Sequence, residues 1–134
     1  MANTVTQTKV IDAGTGNGWV VKKIEVVSDG TEETDLVVYD NSDHINVVSV
    51  GVLKKIEMNG SDCSVQLEWD QTTDSPIVAF NPSTGQTMDF NPIGGFKNPA
   101  GTGATGDLLL TTANLDAGDA FTIILHIWQV KAIV

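Results

Sequence analysis

The chain has 134 residues, enough for one domain whose core closes without metal or disulfide support. Its single cysteine, Cys63, excludes an intrachain disulfide framework. Seventeen Asp and Glu against seven Lys and no Arg give a formal net charge of −10, and lysines scattered singly or in pairs do not form the cation track that a nucleic-acid backbone requires.

The N-terminal stretch Met-Ala-Asn-Thr-Val-Thr-Gln-Thr-Lys has neither an apolar run nor a basic cluster, so it does not read as a signal peptide. No stretch approaches the ~20 apolar residues of a membrane helix. The expectation is a protein made in a cytoplasm, with no nucleic acid and no membrane among its partners. An acidic surface of this strength favours solubility at high concentration.

Val, Ile, Leu and Phe come in short runs punctuated by Gly, Asn, Asp, Ser, Thr and Pro. That rhythm predicts an all-β fold, a two-sheet antiparallel sandwich of jelly-roll-like form, as one domain over 1–134. Residues 1–12 are a candidate N-terminal arm. The first predicted strand is Thr4–Asp12. A second spans 19–27 and is entered through the turn pair Asn17–Gly18. An acidic turn over 28–35 leads to a strand over 36–40. A longer strand over 46–58 ends at Asn59–Gly60, and 63–69 is expected to be its hairpin partner. Short strands follow at 76–80 and 86–90, then longer ones at 105–112 and 119–130.

Two of these strands carry specific information. In the first, Val65, Leu67 and Trp69 alternate with Ser64, Gln66, Glu68 and Asp70, the pattern of a strand with one wet face. The last strand differs. Phe121, Ile123, Leu125 and Ile127 make one face, and Thr122, Ile124, His126, Trp128 and Val130 make the other. Both faces are largely apolar, and a two-layer sandwich has no third layer to cover the second. Ile124, His126, Trp128 and Val130 are therefore the predicted subunit contact, with the apolar tail 132–134 pointing the same way.

Signals for chemistry are weak. Gly101-Thr102-Gly103-Ala104-Thr105-Gly106 matches the dinucleotide spacing, but it follows a Pro/Gly loop and opens a strand, and Asp107 would repel phosphate. One Cys and two distant His, His44 and His126, lack the spacing of a zinc site. There is no G-x-S-x-G elbow, and Cys63 has no basic neighbour to activate it. The acidic groups Asp29, Glu32, Glu33 and Asp35, and Asp40 with Asp43, match no repeated calcium pattern and read as solvated turns. The expectation is a protein that is not an enzyme, with no catalytic residue, cofactor or metal assigned. The loop over 91–106 is the most unusual segment, and its Ile93, Phe96 and Pro99 are the predicted contacts with a partner.

The stretch Val65-Gln66-Leu67-Glu68-Trp69-Asp70, the pair Asp89–Phe90, then Gly94–Gly95 and Asn98, Gly106-Asp107-Leu108-Leu109-Leu110-Thr111-Thr112 and Gly118-Asp119-Ala120-Phe121-Thr122-Ile123-Ile124-Leu125 resemble small virion proteins of tailed bacteriophages, marine ones especially. The resemblance covers about the C-terminal two-thirds. It implies an oligomeric β-sandwich without a cofactor, carried on the outside of the head or on the tail. A head decoration or cement protein is the leading expectation: a homotrimer seated on the major capsid protein at the outer surface of the virion. The alternative is a tail-fibre or host-recognition module that binds carbohydrate. A hydrolase on the same fold is the third reading.

Overall fold

The computed structural model describes residues 3–14, 17–41, 51–99 and 101–129. The chain is all-β, built of two antiparallel sheets packed face to face. Among the described residues ten strands follow in order: β1 (Thr4–Asp12), β2 (Gly18–Val27), β3 (Leu36–Tyr39), β4 (Gly51–Gly60), β5 (Ser64–Trp69), β6 (Ser75–Phe80), β7 (Thr87–Asp89), β8 (Phe96–Lys97), β9 (Leu108–Ala113) and β10 (Ala120–Gln129). Two 3-10 turns, Pro82–Thr84 and Asn91–Ile93, flank β7.

One sheet has six strands in the order β1-β2-β10-β4-β7, with β8 also on β4, and the other runs β3-β9-β5-β6. Alternation along each strand decides what faces the core. On β10 every second residue from Phe121 to Ile127 is buried, and on β5 Val65, Leu67 and Trp69 are buried. Between the sheets these meet Val20, Ile24 and Val26 of β2, Leu53, Ile56 and Met58 of β4, and Leu108 and Leu110 of β9. Each fully buried aliphatic side chain contributes about 1.5–3 kcal/mol. Pro76 sits on β6, an edge strand, where its missing N–H breaks no ladder. Within the candidate arm 1–12, residues 4–12 pair along β2 as the opposite sheet's edge strand β1.

The expected hairpin between β4 and 63–69 does not form. β4 has both edges occupied, by β10 on one side and by β7 and β8 on the other, so the chain crosses to the second sheet before β5. β5 pairs instead with β6 and β9. Gly60, read from sequence as a turn residue, is the last residue of β4 and lies opposite Phe121. The strand predicted to begin at 46 is described from Gly51 onward; residues 42–50, including His44, lie outside the described residues.

The loop after β8 is pinned by backbone bonds. Thr72 N donates to Thr102 O (2.9 Å), Ala104 N to Gly101 O (3.1 Å) and Thr105 N to Asp70 O (3.2 Å), while Gly101 N donates to Gln71 Oε1 (3.0 Å). The glycine spacing thus serves a turn that docks on the β5–β6 connection and runs into β9.

Candidate assembly face

The outer face of the six-stranded sheet is built row by row by cross-strand pairing. Trp128 of β10 lies between Trp19 of β2 and Val52 of β4. One row on, His126 lies between Val21 and Lys55, and Val21 pairs in turn with Ile11 of β1. In the next row Ile124 lies between Lys23 and Glu57. Beyond these the face turns polar, with Thr122 between Glu25 and Asn59.

The apolar end is larger than β10 alone supplies. The β1–β2 register slips between Lys9 and Ile11, which leaves Val10 as the extra residue of a β-bulge. Val10 and Ile11 both line one shallow cavity of about 420 Å³ with Trp19, Val21, Ile124, His126 and Glu57. Val10 is 57 %, Ile11 53 % and Trp19 38 % exposed, while Val21 is buried beneath them. Trp19 stands edge-on to Trp128 at 5.2 Å and to His126 at 6.5 Å. Such aromatic pairs add about 0.5–1.5 kcal/mol beyond their area and hold the patch in one shape. His126 Nε2 lies 3.3 Å from Glu57 Oε2.

The structure brings Ile124, His126 and Trp128 together on this face; Val130 lies outside the described residues. Trp19, Val21, Val10 and Ile11 complete the patch and were missed. The alternation of Trp19 and Val21 could have flagged the first two, but Val10–Ile11 depends on a bulge that no local pattern announces. Ile93, 68 % exposed, and Pro99 are open to solvent. Phe96 is half-buried on β8 and stacks edge-on against Phe90 at 4.7 Å.

Charge is divided between the sheets. Among the described residues, the six lysines on strands, Lys9, Lys22, Lys23, Lys54, Lys55 and Lys97, all belong to the six-stranded sheet, beside the carboxylates Asp12, Glu25, Glu57 and Asp89. Among the described residues no strand of the four-stranded sheet carries a lysine. There Asp35, Glu68 and Asp74 converge, with carboxylate oxygens within 4.8 Å of one another. Burial, with the charges of Asp74 and Asp35 behind it, raises Glu68 above the usual carboxylate range. Three carboxylates are oxygen donors of the kind a hard cation takes, though calcium fills six to eight positions. The acidic turn after β2 is a structural staple: Glu32 Oε1 accepts from Thr112 Oγ1 (3.0 Å) and Leu115 N (3.2 Å).

A second cleft of about 460 Å³ opens where β5 begins and β6 ends, lined by Asp62, Ser64, Asn81, Asn114 and Asp116 around Cys63 and Phe80. Asp62 Oδ1 accepts from Asn81 Nδ2 at 2.6 Å. Burial pushes the Cys63 thiol up to about 11, with the negative charges of Asp119, Asp62 and Glu32 adding to the shift, so it is a poor nucleophile. No protein-family model, curated protein or solved structure matches this chain, and none ties it to the virion proteins its sequence resembles.

Proposed function

We propose that this chain is a structural protein that works by non-covalent assembly, and that its setting is the outside of a bacteriophage capsid, which it decorates or cements as a homo-oligomer in contact with the major capsid protein. The observation that carries the reading is the apolar patch of Val10, Ile11, Trp19, Ile124, His126 and Trp128 on the outer face of a strongly acidic protein. Exposed apolar patches rimmed by polar groups mark interaction surfaces. The viral setting rests on the resemblance in sequence. On a shell, weak contacts repeated at many lattice junctions sum to firm attachment through effective concentration. Mass spectrometry and cryo-EM of purified particles test the setting. The expected result is a copy number on the scale of the shell lattice; a protein absent from particles overturns it.

The polar cleft at Asp62, Asn81, Asn114 and Asp116 favours a second reading, a host-recognition module on the tail that binds neutral carbohydrate. Carboxylates and amides supply acceptors and donors for sugar hydroxyls. A glycan array with the purified chain separates the two, together with a copy number on the scale of the tail.

A further inference from the structure

We propose that the outer face of the six-stranded sheet takes a second copy of this chain, face to face, about a two-fold axis that runs along β10. This rests on the reading of that face as an assembly surface and names its occupant. The key relationship is the row Lys23–Ile124–Glu57. A two-fold along β10 exchanges left for right, so Lys23 of each copy meets Glu57 of the other, and Ile124, His126 and Trp128 meet their own counterparts near the axis. An isologous contact requires this self-complementarity.

Charge favours the same occupant. Two molecules of net charge −10 repel each other over most approaches. On this outer face lysines stand beside acids: Lys23 lies 3.1 Å from Glu25, and Lys55 lies 3.9 Å from Glu57. A partner of single charge sign would be matched by a face of the opposite sign, whereas the row Lys23–Ile124–Glu57 is matched by a rotated copy of itself, with Glu25 coming over the neutral Asn59 and Lys55 over Val21. Area is adequate as well. Four strands spaced about 4.8 Å apart and about 30 Å long offer roughly 600 Å² of flat face before side-chain relief, near the ~800 Å² per partner of a standard interface.

Sedimentation velocity of the full chain over a concentration series, with circular dichroism as the folding control, tests the proposal. The wild type is expected to sediment as a dimer at about 100 µM. Ile124→Asp is expected to give a folded monomer. The sharper arm is a charge swap between half-buried residues outside the core. Lys23→Glu alone and Glu57→Lys alone each place like charges across the axis and are expected to weaken the dimer about tenfold or more. The combined K23E/E57K protein is expected to recover most of that loss. A wild-type monomer at about 100 µM, a trimer, or a dimer indifferent to these substitutions overturns the proposal. Dimers in solution with no protein on virions would leave this inference standing and remove the viral setting alone.

Discussion

Tyr39 of β3 donates its hydroxyl hydrogen to Gln129 Oε1 of β10 at 2.9 Å, with both residues fully buried. The same Gln129 donates through Nε2 to Gly14 O at 2.8 Å, so one amide joins the edge of one sheet, the centre of the other and the β1–β2 turn. Burial, with the charges of Asp107 and Asp12 adding to it, pushes the Tyr39 phenol above its ordinary value, which keeps it a neutral donor. Tyr39→Phe preserves the ring and withdraws the donor from a buried acceptor. The expected cost is about 1–3 kcal/mol, read as a lowered urea midpoint with an unchanged slope. An unchanged midpoint would show that the bond adds nothing net.

Gly60 supplies a test of the crossover between the sheets. Its φ of +149° favours glycine, and a Cβ there would sit 2.5 Å from Phe121 Cα. Neither backbone can yield without breaking the β4–β10 register at its end. Gly60→Ala is expected to cost about 3 kcal/mol or more, from strain and overpacking together. A thermal melt checks it. A loss under about 0.5 kcal/mol, the scale of an ordinary surface change, would mean that the chain turns there in some other way.

Strand positions were readable because alternation is local: the inward faces of β5 and β10 follow from period two alone. Sheet membership was not readable. Asn59–Gly60 is a strong hairpin signal, yet β4 already has neighbours on both edges, and that is a property of the whole topology. The assembly face divides in the same way. Ile124, His126 and Trp128 lie on one strand and show themselves in sequence. Val10 and Ile11 join them only because a bulge shifts the β1 register, and the contact of Phe96 with Phe90 comes from the fold rather than from any local pattern.

Cys63 gives a kinetic test of the second cleft. The thiol is 3 % exposed and pushed up to about 11, first by burial. The thiolate is the reactive species, and a free cysteine near pKa 8.5 is partly ionised at pH 8. A thiol reagent at pH 8 is expected to label the native protein at least about a hundredfold more slowly than the urea-unfolded chain. Labelling of native protein at the rate of a small free thiol would show that the cleft opens to its floor.

Glu68 gives a pH test on the face opposite the proposed dimer contact. Burial raises its carboxyl, and the charges of Asp74 and Asp35 add to the shift. A carboxyl raised in the folded state holds its proton more tightly there than in the unfolded chain. Its contribution is therefore fully present below the unfolded value, near 4.3, and is lost as pH rises through the folded value. Above that, three carboxylates with oxygens within 4.8 Å of one another repel. Glu68→Gln keeps the shape and the 3.5 Å approach of Thr111 Oγ1 while removing one charge. It is expected to raise the melting temperature by roughly 2–4 °C at pH 7 and to leave it unchanged near pH 3. Calcium supplies an internal control. If the ion bridges this cluster at neutral pH, adding it stabilises the wild type and not the variant, since only the wild type offers all three carboxylates. A variant less stable than the wild type at pH 7 without added ion would mean that the Glu68 charge is compensated by groups other than Thr111, and the repulsion account would fail.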